Sequence, residues 1–152
     1  MIPLELDVFR HLLCPIDGSP LSCGAVDKAV ALAREIGAEL TFFYAKSDPG
    51  SLLHGESELS RVMDPEGYAA RAEAHARSIL SEALAAAEGV RCQAIAVSAG
   101  EPYEAIIATA EQKCCDLIVM ASHGYRGVKG LLLGSQTQKV LLHSKLPVLV
   151  YR

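Results

Sequence analysis

The sequence predicts an α/β fold, a five-stranded parallel sheet with helices on both faces in an α/β/α layering. Three observations predict it. Short apolar runs alternate with stretches of helical periodicity along the whole chain. The links between them are brief, and parallel neighbours need a crossover helix between them. Apolar residues make up 51% of the chain, with no Trp and few other aromatics, which suits helices packed closely through small side chains.

Each element has its own signal. Val8 to Pro15 reads as the first strand, centred on His11, Leu12, Leu13 and Cys14, and stops at Pro15-Ile16-Asp17-Gly18. Ser19-Pro20 supplies an N-cap followed by proline at the first helical position, and Leu21, Ala25, Ala29, Leu32 and Ile36 recur at helical spacing up to Gly37. Glu39 to Ala45, rich in aromatic and branched residues, reads as the second strand. From Lys46 to Asp64 the pattern is polar and turn-rich, making this the longest loop and a candidate lid. Asp64-Pro65 opens a long Ala-rich helix to Ala87, with Ile79, Leu80, Ala83 and Leu84 on one face and Gly89 closing it. Arg91 to Ser98 reads as the third strand, with Cys92, Ala94 and Ala96 alternating against Gln93, Ile95 and Val97. Gly100-Glu101-Pro102 opens a helix that ends near Lys113, and Asp116 to Met120 is a fourth, fully apolar-faced strand. Ser135 to about His143 forms the fourth helix and Pro147 to Arg152 the fifth strand.

A chain of 152 residues is expected to form one domain spanning 1–152, large enough to bury a core without staples. The net charge of −4, without any Lys/Arg block, argues against a nucleic-acid surface, because such binding rests on cationic phosphate contacts. No apolar run approaches membrane-spanning length. The opening residues carry acids where a secretory leader would carry cations, so no membrane association and a cytoplasmic location are expected. Cys14, Cys23, Cys92, Cys114 and Cys115 form an odd set with no Cys-x-x-Cys pair and read as reduced thiols. Neighbours Cys114 and Cys115 point to opposite faces on entering a strand, which disfavours a bond between them.

The stretch from Ala121 to Ser135 is where chemistry concentrates. Gly124, Gly127 and Gly130 punctuate a segment between a buried strand and a helix start. Ser135-Gln136-Thr137-Gln138 has the spacing of a capping box, in which Ser135 receives the first free helical amides and Gln138 reaches back. Strand, glycine loop and helix N-terminus in that order present N–H groups and partial positive charge to a phosphate, so a nucleotide ligand is expected. The bland alternative, a surface connector made supple by glycine, weighs equally on these residues alone. No Gly-x4-Gly-Lys-Ser/Thr or Gly-x-Gly-x-x-Gly occurs. In a parallel sheet, ligands sit at the carboxyl ends of the strands where the winding reverses. The Asp17 turn and the loop after the fourth strand would then wall one crevice.

Ala121-Ser122-His123-Gly124, nine residues, then Gly134-Ser135 resembles the nucleotide-loop signature of the universal stress protein family, Gly-x2-Gly-x9-Gly-Ser/Thr. Cys14-Pro15-Ile16-Asp17-Gly18-Ser19, Gly100-Glu101-Pro102 leading into Cys115 to Met120, and the closing Leu146 to Val150 resemble the family in the same order. The resemblance covers essentially the whole chain. It implies a Rossmann-like, adenine nucleotide alpha hydrolase-like fold and a crevice for an adenine nucleotide, ATP or AMP, with Mg²⁺ brought only by the phosphates. In the family pattern the acid after the first strand, here Asp17, meets the adenosine moiety, and a residue ending the second strand, matched approximately by Ala45, meets adenine through its backbone. Gly124, Gly134 and Ser135 would hold ribose and phosphates. The candidate nucleotide set is Pro15, Asp17, Ala45, Ala121, Ser122, His123, Gly124, Arg126, Gly127, Gly134, Ser135 and Gln136. Arg126 and Lys129 would offset phosphate charge, although exposed loop cations are more often merely solvated.

Ala121 stands where the signature has its first glycine. At negative φ an alanine is tolerated there. At positive φ it costs on the order of 1 kcal/mol, roughly a fivefold to tenfold loss of affinity. Some family members lack the signature and bind no ATP, which keeps a nucleotide-free dimerisation or adaptor module open as the alternative. His123 has no partnered Asp, Ser or Cys at a known spacing and reads as a loop-orienting imidazole. Asp17 alternatively serves as a turn-forming acid. No catalytic residue and no protein metal site is expected, and a phosphohydrolase ranks last. The final strand, Leu146 to Arg152, is apolar on both faces and lies at an edge, so a homodimer through it is expected and its removal should abolish the dimer. A downstream protein partner is expected but not named.

Overall fold

The computed structural model describes residues 8–47, 62–123 and 133–152. Strands β1 (His11–Pro15), β2 (Glu39–Ser47), β3 (Cys92–Ala99), β4 (Leu117–Ala121) and β5 (Val148–Tyr151) alternate with helices α1 (Pro20–Ile36), α2 (Pro65–Ala86), α3 (Pro102–Gln112) and α4 (Ser135–His143). The five strands form one sheet in the order β3-β2-β1-β4-β5, parallel throughout. The winding runs outward from β1 in one direction, then restarts beside it with β4. The switch point therefore falls between β1 and β4.

Alternation along the central strands feeds two cores. Leu12, Cys14, Leu40, Phe42, Leu117 and Val119 pack against Val26, Ala29, Val30 and Ala33 of α1 and Leu80 and Ala83 of α2. Leu13, Phe43, Ile118 and Met120 turn the other way, onto Ile106 and Ala110 of α3 and Val140 of α4. Each large side chain removed from water contributes about 1.5–3 kcal/mol, and the double-sided burial is why β1 and β4 read as unbroken apolar runs. A short polar row crosses the second face. The hydroxyl of the fully buried Thr41 contacts His11 Nε2 at 2.7 Å and accepts from Gln93 Nε2 at 3.1 Å.

The helix ends follow their local chemistry. Ser19 Oγ accepts from Ser22 N at 3.3 Å, Pro20 opens α1, and Gly37 closes it in the left-handed conformation with φ +71°. Asp64 Oδ1 accepts from Gly67 N to start α2. That helix stops at Ala86, before the turn at Gly89. Cys114 takes φ +55° and lets α3 fold back into β4, with Cys115 N donating to Ala110 O at 2.9 Å. Cys114 is exposed and Cys115 buried, on opposite sides as expected for strand-entry neighbours.

Several boundaries move. β1 starts at His11 rather than Val8, because the N–H groups of Arg10 and His11 are taken by the Asp116 carboxylate at 2.8 and 3.0 Å before strand pairing begins. β2 runs two residues past Ala45, since Lys46 and Ser47 pair with Ser98 and Ala99. β4 gains Ala121 opposite Tyr151. The remainder of the candidate lid, 48–61, lies outside the described residues. Among the described residues no helix is long and apolar enough to cross a membrane.

Candidate functional site

β1 and β4 are hydrogen-bonded neighbours, so the turn after one and the loop after the other begin side by side at the carboxyl end of the sheet. After Pro15, Ile16 N makes a last bond to Phe43 O at 2.8 Å. The chain then turns over Asp17. Asp17 N donates to Ser22 Oγ at 3.1 Å, Asp17 Oδ1 accepts from Ser19 N at 2.9 Å, and Gly18 supplies φ +81°. Asp17 is thus the turn-forming acid of the α1 entry. That task engages one carboxylate oxygen, and the residue remains half-buried at the crevice.

Ala45 sits where this turn opens the ladder. Successive strand residues direct their N–H and C=O groups to alternate neighbours. Glu39 N donates to Arg10 O and Phe43 O accepts from Ile16 N, so the odd-numbered residues of β2 face β1. Leu40 N donates to Arg91 O, so the even-numbered ones face β3. Ala45 therefore turns its peptide groups toward β1, whose pairing has ended at Pro15 with Phe43. A donor and an acceptor stand side by side at an open notch, which is what the edge of a purine needs.

The opposite wall begins at Ala121. Left-handed backbone among the described non-glycine residues is confined to Cys114, so Ala121 has an ordinary strand conformation and its methyl carries no torsional penalty. Ala121 O accepts from Thr137 Oγ1 at 2.9 Å. Ser122 N donates to Tyr151 O at 2.7 Å, and Ser122 O accepts from Gly134 N at 2.6 Å. The loop is thereby tied at its neck. A β-carbon on Gly134 would lie 3.0 Å from His123 Cα and 3.2 Å from Ser122 O, while its φ is −57°. Glycine is favoured at Gly134 by the close approach of two backbones, not by a left-handed torsion. His123 Nδ1 lies 3.1 Å from Ser122 Oγ, a local contact that orients the ring.

The expected capping box does not form. Gly134 is the N-cap of α4, Ser135 is the first helical residue and exposed, and Gln138 Nε2 reaches Leu133 O at 2.8 Å. The box fails because the chain enters the helix one residue earlier, through the Gly134–Ser122 bond. The first intrahelical bond runs from Gln138 N to Gly134 O. The N–H groups of Ser135, Gln136 and Thr137 meet no acceptor among the described residues, and no side chain caps them. They form a patch of donors at the positive end of α4, beside the ends of β1 and β4.

Of the candidate residues, Pro15, Asp17, Ala45, Ala121, Ser122, His123, Gly134, Ser135 and Gln136 gather at this one end of the sheet. The side chain of Gln136 is engaged elsewhere, with Oε1 accepting from Tyr103 N at 2.9 Å, so only its backbone serves the donor patch. Gly124, Arg126 and Gly127, with Lys129, lie outside the described residues. Sequence reasoning missed Lys46, which reaches Glu73 Oε2 at 2.6 Å, and the Tyr44–His75 edge contact, centroids 6.1 Å apart. With Tyr68, Arg71 and Ala72 these line a depression of about 270 Å³ on the α2 side of the β2 end. The signal was the alternation Phe42-Tyr44-Lys46, which continues the strand. A larger, open groove of about 510 Å³ lies at the opposite pole, among Arg10, Arg34, Glu39 and Arg91. Ionic groups there answer each other and the ends of the helices: Arg91 pairs with Glu39 at 2.8 Å and Arg34 donates to Glu88 O at 3.0 Å. Burial pushes the Cys14 thiol up to about 12, which makes it no nucleophile. Among the described residues no three His, Cys, Asp or Glu side chains converge as metal ligands.

A doubly covered parallel sheet of order 3-2-1-4-5, with helix-start amides beside its switch point and an open strand notch on the other side of β1, defines a Rossmann-like α/β domain. Comparison with known proteins narrows the class. The model of the Universal stress protein family matches residues 9–152, and the chain belongs to that family. It is 34% identical over 151 residues to Universal stress protein YxiE of Bacillus subtilis, covering 95% of this chain and 100% of that one. Among solved structures it is similar to the universal stress protein UspA from Lactobacillus plantarum, with TM-score 0.66, 28% identity and coverage of 94% and 97%. It is likewise similar to a universal stress protein solved in complex with cAMP, with TM-score 0.65, 28% identity and coverage of 95% and 97%.

Proposed function

We propose that this chain is a cytoplasmic stress-response factor that binds an adenine nucleotide, ATP or AMP, in the crevice between β1 and β4 and acts as a dimeric sensor. The observation that carries the reading is the donor patch of Ser135, Gln136 and Thr137 beside the open notch at Ala45. The amides and helix dipole take phosphate, the Ala45 peptide groups take the purine edge, and Asp17 lies between them for the ribose hydroxyls. The cAMP complex of the related protein supports an adenine ligand of this class.

The role is binding with little turnover. Proton transfer needs a positioned acid or base, and His123 is turned to Ser122 with no acidic partner in reach among the described residues. Any Mg²⁺ arrives on the phosphates. Ala121 argues for a nucleotide-free adaptor by torsion and by its added methyl, and its strand conformation removes the torsional part of that argument. The test is to denature purified protein and analyse the supernatant for adenine absorbance, then to titrate stripped protein with ATP, AMP and cyclic AMP by calorimetry. Saturable heat with at least one of the three is expected. No released nucleotide and no heat with any of them returns the adaptor reading.

A further inference from the structure

The first turn of α3 has an unusual cap. Glu101 occupies the N-cap position and makes no side-chain cap bond to the helix. Its carboxylate is drawn to Lys139 Nζ at 2.9 Å. The open amide of Tyr103 is satisfied from outside, by Gln136 Oε1 of α4 at 2.9 Å. One turn further along α4, the Lys139 ammonium lies 5.2 Å from the Tyr103 ring centroid, and after another turn the His143 ring lies 5.1 Å from it. Gln136, Lys139 and His143 share one face of α4 by helical spacing, so α4 grips the start of α3 along its length.

Gln136 is the point where this grip meets the ligand patch. Its main-chain N–H is one of the three open amides at the start of α4, and its side chain is the acceptor for Tyr103. We propose that Gln136 is a positioning residue that couples the anion-binding start of α4 to the first turn of α3, so that a nucleotide held by α4 tightens the Tyr103 cap and intact capping in turn strengthens nucleotide binding. The proposal rests on the nucleotide reading above. Reciprocity between the two effects is required thermodynamically. The size is bounded by one hydrogen bond, about threefold to tenfold in an equilibrium constant.

Amide exchange at Tyr103, read by NMR on the full chain, separates the parts. In wild-type protein, saturating AMP or ATP should slow Tyr103 exchange by about threefold to tenfold. Gln136→Met, similar in length but without the acceptor, should speed that exchange in the free protein, weaken nucleotide binding by about the same factor and leave Tyr103 indifferent to nucleotide. Gln136→Glu keeps the acceptor and should keep Tyr103 slow in the free protein. Nucleotide binding to wild type without any change at Tyr103, or equal affinity in Gln136→Met, overturns the coupling and leaves the nucleotide reading standing. Failure of wild type to bind either nucleotide overturns the reading and the coupling with it.

Discussion

Asp17 has a structural task in the α1 entry, and the proposed function gives its carboxylate a second one. Oδ1 holds Ser19 N and so starts α1, while the residue stays half-buried. The two tasks separate by substitution. Asp17→Asn keeps an oxygen acceptor for Ser19 N and should leave thermal stability close to wild type, whereas Asp17→Ala should lose about 1 kcal/mol with that bond. Both should weaken nucleotide binding, because neither retains the carboxylate. A calorimetric affinity for Asp17→Asn equal to wild type would remove Asp17 from the ligand. Gly134 teaches a related lesson. Its preference for glycine comes from the 3.0 Å approach to His123 Cα, a neighbour eleven residues away that no local rule announces.

At the scale of elements, β5 is the exposed edge of the sheet, with Leu149 42% accessible and Leu142 of the adjoining α4 79% accessible. These apolar groups fit the expected cover by a second copy. Deleting Leu146 to Arg152 would also remove Tyr151, whose carbonyl holds Ser122 N and whose ring leaves no room for a β-carbon on Gly24. A point change is cleaner. Leu149→Glu should convert a sedimenting dimer to a monomer while leaving the far-ultraviolet spectrum unchanged, and a persistent dimer would place the interface elsewhere.

Much of the architecture was legible because its signals are local. Ser19-Pro20 and Asp64-Pro65 mark helix starts, and the unbroken apolar run of β4 marks a strand buried on both faces. The misreadings came from tertiary partners. Asp116 takes the amides of Arg10 and His11 ahead of β1, and Ser122 draws Gly134 into the cap position that the sequence spacing assigns to Ser135. The side chain of Gln136, a candidate nucleotide residue, was not legible as the cap of another helix 33 residues away in sequence. The turn at Asp17 was legible from the end of β1, whereas Lys46 was hidden by the polar stretch that follows it.

For the molecule as a whole, the two cores carry a signature in alkaline solution. Burial holds the Cys14 thiol up at about 12, and burial, then Asp116 and Cys114, do the same for Cys115, against an ordinary value of 9.0. The unfolded chain ionises these thiols first and so binds fewer protons than the folded one in that interval. Stability is therefore full below pH 9 and declines as pH rises from 9 toward 12. Urea midpoints measured across this interval should fall, and Cys14→Ala should flatten part of the slope. Identical slopes in the two proteins would show that Cys14 does not drive the decline.

The bond between Ser122 and Gly134 has a consequence for redesign. A segment that leaves and re-enters a rigid frame through one tied point can be exchanged for another of different length, since each doubling adds only about 0.6 kcal/mol of closure entropy. The frame is thus a socket into which recognition loops of other chemistry can be grafted, with the sheet left untouched.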